Sequence, residues 1–522
     1  MTHATKPLFA VAAILFFNTC AFAGSPGTKP SAIPKSSTIQ GSVVATSNPL
    51  VAQYTLTLPS SGTWSVSFGT TTAYGRSTSV QTASTPDSAT SLYVAGMLPN
   101  TPYHMQATAT LADGTTVSDV DHIFTTGPLP PEIPSGYPVT LGVTGTPQPG
   151  IELIDELLGP SADTVLATDL EGNVIWFYQP SATRGALIVP AKFIPNGDLV
   201  LFLAPNSYPT GTNGINVMRE VDLAGNTVRE LSMARLNAGL RKAGLPGTLE
   251  YFSHDFTLLP NGHYLIIANL TKQFTDLPGY PGDTTVVGDA IVDLDPDWNP
   301  VWIWNEFDHF DVNRHPMNFP DWTHTNSVAY SPTDGNFIVS IRHQDWVVKV
   351  DYRDGKGSGD VLWKLGKDGD FALQGGVDPT DWFYAQHDAR FIGDTTAGKF
   401  VLSVMDNGDD RKLPPGVSCG TGNDPACQYS TIPIMQIDET AKTASFLFHQ
   451  VLPSYLYSNW GGNVAPLANG NIEYFLSGSP GGSQLFEVTN EPTPRTVWNL
   501  TMPGCGSYRA FRLPSLYPGV QW

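Results

Sequence analysis

Apolar and polar positions alternate in short runs along this chain, and two different patterns divide it. From residue 39 to 126, runs such as QYTLTLPS, TWSVSFGT and SLYVAGMLPN alternate side by side, separated by Pro, Gly and Asn turns. That period of two predicts short antiparallel strands folded as a β-sandwich. The segment GPLPPEIPSGYP follows, and 127–149 reads as a Pro-rich linker. Beyond it the pattern becomes a repeat. One unit has an apolar strand, a turn containing Asn, Asp or Gly, and a second apolar strand: PAKFIPNGDLVLFL, HDFTLLPNGHYLIIAN, NSVAYSPTDGNFIVSI, HDARFIGDTTAGKFVLSV and GNVAPLANGNIEYFLS. A second unit ends near a tryptophan or another apolar residue: LATDLEGNVIWFY, MREVDLAGNTVREL, AIVDLDPDWNPVWIW, VKVDYRDGKGSGDVLWKL, MQIDETAKTASFLF and FEVTNEPTPRTVWNL.

Each unit is a hairpin, so one unit of each kind makes a four-stranded sheet. Such a sheet cannot bury both faces alone, and stacking copies around an axis solves that problem. The fold class expected is therefore all-β, a six-bladed β-propeller over 150–522 preceded by the sandwich, with seven blades as the alternative. Six blades give about 62 residues each, enough for four short strands and loops. The first unit lacks its sixth copy. SYRAFRLPSLYP, at the C-terminal end, is placed to pair with 150–178 and supply it. Within the sandwich, LPNTPYHMQATA resembles the tyrosine-corner region of fibronectin type III domains, with Tyr103 at the corner.

Composition narrows the partners. Lys and Arg total 27 against 47 Asp and Glu, a net charge of −20 over 522 residues. Nucleic acid and an anionic membrane surface both need a basic face, so neither is expected. The first 23 residues read as an export signal: Lys6, the apolar PLFAVAAILFF, and AFA as a cleavage site after Ala23. A lipoprotein alternative would use Cys20, but FNTC lacks the usual residues ahead of the cysteine. Residues 24–38 are expected to be flexible, and the mature protein to be periplasmic or secreted. In that oxidising compartment CGTGNDPAC reads as a small disulfide loop between Cys419 and Cys427, worth roughly 2–3 kcal/mol, with two free thiols as the alternative. Cys505 is then left alone.

Aligning the repeats on their turns places chemistry at one register. His254 lies six residues before Pro260, Asn326 six before Pro332, and His387 six before Gly393. His324 sits two residues ahead of Asn326, and Arg342 ends the second strand of the same hairpin. In a propeller these positions face one funnel. A zinc ion would accept three imidazoles, but a guanidinium beside a dication is unfavourable. An anion with a tetrahedral head suits the set better, since Arg donates a fork of hydrogen bonds and imidazole can donate or attack.

With those residues in hand, DWTHTNSVAYSPTDGNFIVSIRHQDWVVKVD looks like the signature of the bacterial arylsulfate sulfotransferases, which use no nucleotide donor. HDFTLLPNGHYL, QHDARF and YRAFRLPSLYPG are similar to the same family over most of 150–522. The resemblance implies a six-bladed propeller with a small N-terminal sandwich, export, and a disulfide near Cys419 and Cys427. It implies His387 as the nucleophile that carries the sulfuryl group, and His254, His324 and Arg342 as ligands of the sulfuryl oxygens. A histidine would also serve the phenolic oxygen as acid or base, and Asn326 would orient a partner. No cofactor or metal is expected. The expected partners are a small-molecule aryl sulfate donor and a phenolic acceptor, with a homodimer possible in the family. Two half-reactions at one site predict ping-pong kinetics. Trp322, Trp382, Phe383 and Tyr384 could flank a flat ring or pack between blades. The rivals are a lectin-like binding propeller and an aryl sulfate hydrolase. A sulfatase Cys/Ser-x-Pro-x-Arg motif, the vicinal cysteines of quinoprotein dehydrogenases and sialidase Asp-boxes are all missing from the sequence.

Overall fold

The computed structural model describes residues 39–522 apart from 144, 160, 181–185, 206–214, 379, 397, 410 and 412–428. The export segment 1–23, the segment 24–38 and the pair Cys419 and Cys427 lie outside the described residues. Cys505 is a free, buried thiol.

Residues 40–125 form two antiparallel sheets. Gln40–Ala45, Ala52–Thr57 and Ala89–Val94 make one, and the other is built around Gly62–Gly69 and Pro102–Leu111. Alternation decides which face is buried: Tyr103, Met105, Ala107 and Ala109 point inward from one strand. The Tyr103 hydroxyl accepts a hydrogen bond from Leu98 N–H at 3.0 Å, the reach back along the chain that a tyrosine corner makes. Trp64 and Phe68 share a hydrophobic cluster with Trp176, Leu201 and Tyr517, so 39–522 is one compact unit.

The repeats become six sheets, each with four antiparallel strands in hairpin order. Sheet one is Ile151–Leu158, Thr164–Thr168 and Val174–Tyr178, with Gly506–Leu513 paired to Ile151–Leu158. The C-terminal stretch thus supplies the missing strand. Sheets two, three and four run over Ala186–Ser232, Tyr251–Asn305 and Thr325–Gly366. Sheet five holds His387–Thr396 through Val451 plus the short parallel strand Ala372–Gln374. Sheet six holds Asn463–Pro503 plus Val139–Leu141, which pairs with Thr496–Pro503. Three residues of the expected linker, Val139–Leu141, are therefore strand, and Ile133 and Tyr137 ahead of them are buried. One α-helix occurs among the described residues, Met233–Ala243, between Ser232, whose hydroxyl accepts from Arg235 N–H, and Gly244 at φ +70°. Nothing in the strand repeats announced it.

One edge strand of each sheet touches the edge strand of the next: Gly506–Leu513, Ala186–Phe193, Tyr251–Leu258, Thr325–Ser331, His387–Thr396 and Asn463–Pro466, in that order. Polar side chains tie them together. Asp155 accepts from Ala191 N–H, Asp255 from Val328 N–H, and Asn463 brackets the Ala510 peptide with both amide atoms. At the centre, Arg509 is fully buried between Asp255 and Asp388, 3.3 and 3.1 Å away. Lys192 and Arg390 pair with the same two carboxylates. An uncompensated charge at this depth would be prohibitive, so the ions arrive as a set from four strands.

Candidate active site

The bulges in these edge strands build the site. In sheet three the pairing jumps from Ser253–Ile267 to Phe256–Ile266, leaving His254 and Asp255 outside the ladder. In sheet four it jumps across Asn326, and in sheet five between His387 and Arg390. A bulge re-aims the side chains beside it. His254 and His324 take φ of +45° and +52°, and Asp388, following His387, takes +55°. Each costs roughly 1–2 kcal/mol for an L-residue, so the surrounding contacts must hold them.

The three histidines meet. His254, His324 and His387 line one cavity of about 160 Å³, with Trp460, Tyr508, Ser253 and an apolar wall that includes Leu187 and Val189. The His254 and His324 ring centres are 4.5 Å apart. The Tyr508 ring lies 5.8 Å from His254 and 6.1 Å from His387.

His387 is 2 % exposed and its proton inventory is fixed by its neighbours. Asn407 Nδ2 donates to the carbonyls of Ser458 and Gly461, at 2.8 and 3.1 Å, so its Oδ1 must face His387. The contact of 2.6 Å between Asn407 Oδ1 and His387 Nδ1 then requires the proton on Nδ1. Nε2 keeps its lone pair, and Gly461 N–H donates to it at 3.2 Å. Gly461 stands at φ +60°, and a Cβ there would lie 2.4 Å from Ser477 Oγ, so glycine alone fits.

Burial, followed by the positive charge of Arg342, pushes the His387 pKa well below 6.5. Burial also depresses His254, with His324 as the next cause. His324 falls to about 3, through burial and then Arg342. All three imidazoles are neutral at neutral pH. His324 Nδ1 lies 2.5 Å from Asp321 Oδ2, and Ser253 Oγ lies 2.6 Å from His254 Nδ1.

Arg342 stands behind this cluster rather than in the cavity wall. Its Nη1 donates to His343 Nε2, and its Nη2 pairs with Asp409 at 2.6 Å and reaches the Asn459 carbonyl. Its Nε is buried with no acceptor among the described residues. His343 in turn stacks on His324 at 4.7 Å. Asn326 also stays out of the cavity. Its Nδ2 donates to Gln386 O at 2.7 Å and its Oδ1 accepts from Asp388 N–H at 3.3 Å, bracketing His387. The expected contact of Asn326 with substrate is thus replaced by a grip on the strand that carries His387. Trp322, Trp382, Phe383 and Tyr384 are no more than 1 % exposed and belong to the packing. The cavity takes its aromatic rings from Tyr251, Phe252, Trp460 and Tyr508 instead.

Among the described residues, Asp321, His324 and His343 could bring ligand atoms within 4.8 Å of one another. The donor set does not suit a cation. His343 Nδ1 bonds the Asp321 carbonyl at 2.7 Å, and its Nε2 faces the Arg342 guanidinium.

A family model described as Arylsulfotransferase (ASST) matches residues 143–498. The chain belongs to the arylsulfotransferase family. Membership assigns aryl sulfotransferase activity in general, between a small-molecule donor and a small-molecule acceptor. The matched span of this arylsulfotransferase contains His254, His324, Arg342 and His387 but stops before Tyr508. No curated protein matches the chain. Among solved structures it is similar to a candidate 6-phosphogluconolactonase of Bacteroides fragilis, at 11% identity and TM-score 0.35, covering 87% of this chain and 98% of that one. An auxiliary nutrient binding protein of Bacteroides ovatus is similar at 9% identity and TM-score 0.30, over 87% and 86%. Hydrazine synthase of Kuenenia stuttgartiensis matches at 10% identity and TM-score 0.32, over 65% and 77%.

Residues the sequence reading passed over carry much of the geometry. His343 stands beside Arg342 in SIRHQ, and Tyr508 begins YRAFR, yet neither falls on the turn-aligned register. Asn407, in MDNGDD, enters from the far end of the hairpin behind His387.

Proposed function

We propose that this protein moves a sulfuryl group from an aryl sulfate to a phenol in two half-reactions, with His387 as the carrier. The supporting observation is the neutral, buried His387 ring, with Nδ1–H on Asn407 and the Nε2 lone pair at a cavity shared with two more neutral imidazoles.

In the first half-reaction Nε2 gives up the hydrogen bond from Gly461 N–H and attacks sulfur as the bond from sulfur to the phenolic oxygen breaks. The phenolate departs with the bonding pair, and His387 becomes an N-sulfo imidazolium. Positive charge arises on the ring as it forms, so the bond from Nδ1–H to Asn407 strengthens at that moment. An imidazole N–H of His254 donates to the sulfuryl oxygens; His324, whose single N–H is directed at Asp321, offers its Nε2 lone pair instead, and Arg342 adds its positive field from behind. In the second half-reaction a phenol hydroxyl attacks the same sulfur and His387 leaves as the neutral ring. The phenol proton passes to a neutral imidazole, which loses it to solvent before the next turnover, while the phenolate released earlier takes its proton from water.

The six sheets, with edge strands in ring order and the first sheet completed by the C-terminal strand, support a six-bladed propeller. The first 23 residues support export, with cleavage after Ala23 and a mature protein in the periplasm or outside the cell.

Incubation with a chromogenic aryl sulfate, with and without phenol, and intact mass measurement test the reading. Transfer requires phenol-accelerated chromophore release and an adduct of about 80 Da that disappears on adding phenol. Release indifferent to phenol would make the protein a hydrolase. Binding without release would make it a lectin-like module.

A further inference from the structure

His324 holds a left-handed backbone in the wall of the cavity, and both of its neighbours are gripped from behind. Thr323 and Thr325 are fully buried. Asp289, on the strand Tyr280–Leu294 of sheet three, accepts from Thr323 Oγ1 and from Thr325 N–H on the same oxygen, each at 2.8 Å. Its other oxygen accepts from Asn269 Nδ2 at 2.5 Å. Glu306, just past the strand Pro300–Asn305, accepts from Thr325 Oγ1 at 2.5 Å. Its second oxygen is buried with no hydrogen-bond partner. Both acids are at most 1 % exposed.

The donors divide the two carboxyls. Asp289 receives three hydrogen bonds from groups that can only donate or are donating, so it is the ionised partner. Glu306 accepts from Thr325 Oγ1 on one oxygen and leaves the other without a donor, the place for a proton. Two buried carboxylates that both bond Thr325 would repel, and one proton, held on Glu306, removes the conflict.

We propose that Asp289 and Glu306 form a one-proton carboxyl pair that pins Thr323 and Thr325 and so positions the His324 imidazole toward the sulfuryl group. The inference rests on the functional reading above, and it makes both acids positioning residues. Burial, followed by the neighbouring Asp289 charge, raises Glu306 well above the usual range, and burial raises Asp289 too. The charged or titratable groups facing the pair are Asp321, whose charge also raises Asp289, and His324 itself; Asn269, Thr323 and Thr325 are neutral. Loss of that proton as pH rises sets two negative charges behind Thr325 and loosens the grip.

The test follows the donor half-reaction from pH 5 to 10 in the full chain. In the wild type, kcat/KM falls at least tenfold on the alkaline side. Glu306→Ala loses at least tenfold in kcat at pH 7, and Glu306→Gln, whose amide imitates the protonated acid, recovers most of that loss and removes the alkaline limb. A second readout does not depend on catalysis. In protein labelled with 15N-histidine, the His324 signal, assigned through His324→Gln, moves on the alkaline side in the wild type and stays put in Glu306→Gln. An alkaline limb that persists in Glu306→Gln, or a His324 signal that moves equally in both, overturns the proposal. If the wild type releases no phenol from any aryl sulfate, the functional reading fails, and the His324 signal alone then decides whether the pair grips that histidine.

Discussion

Replacing Asn407 tests the chain of hydrogen bonds that gives His387 its reactive tautomer. In the resting protein the bond from Nδ1–H to Asn407 Oδ1 joins neutral groups at 2.6 Å, and such a bond is worth about 1 kcal/mol net. When sulfur bonds to Nε2 the ring becomes cationic, and a bond to a charged donor is worth about 1.5–3 kcal/mol. Only the difference, about 0.5–2 kcal/mol, speeds the step, which corresponds to about 2–30-fold. Asn407→Ala should therefore lower kcat/KM for a chromogenic aryl sulfate by that factor, chiefly through kcat. It should also lower Tm, because the carbonyls of Ser458 and Gly461 lose their donor. Asn407→Asp reverses the electrostatics. A carboxylate against Nδ1 favours the protonated ring, raising the His387 pKa. Protonated imidazole has no lone pair, so an acid limb should enter the pH profile of the donor half-reaction. Kinetics over pH 5–9 provide the assay. A kcat/KM for Asn407→Ala within twofold of wild type, or an unchanged profile for Asn407→Asp, would refute the tautomer argument.

Other outcomes follow from the same geometry. Arg342→Lys keeps the charge but cannot hold Asp409, His343 and Asn459 O together, so donor KM should rise about 10–100-fold, read by steady-state kinetics with Tm as the control. Asn326→Ala removes both bonds that bracket His387 from sheet four, and should cost about 2–3 kcal/mol in denaturant unfolding while also lowering kcat. For the wild type, the four depressed histidines, His254, His324, His343 and His387, keep neutral rings well below pH 6.5. The donor half-reaction should thus show no acid limb between pH 7 and 5. Stability follows the opposite ledger: the unfolded chain takes up those protons as pH falls through about 6.5 and the folded protein does not, so stability is lost as pH falls below that value.

The turn-aligned register found His254 and His387, with His324 two residues ahead of that register at the same rim, because a repeat fixes where each edge strand begins and the bulges there re-aim the side chains inward. Arg342 was found on the same ground and stands one layer back, since its fork is occupied by Asp409, His343 and Asn459. Asn326 shared the register but not the role: its amide lies level with a neighbouring peptide, and a peptide is the nearer hydrogen-bonding partner. The helix Met233–Ala243 and the strand Val139–Leu141 went unread because each answers to a local packing need rather than to the repeat.

What the sequence determined by itself was the period: strand pairs, their turns, the closing segment at the C-terminal end and the histidines that recur with them. Those features are local, encoded in residues a few positions apart. The tertiary structure alone decided which imidazole keeps a lone pair, which acid keeps a proton and which aromatic rings line the cavity. Asn407, Tyr508, Asp289 and Glu306 reach the site from distant stretches of chain, and hydrogen-bond direction and burial exist only once those stretches are side by side.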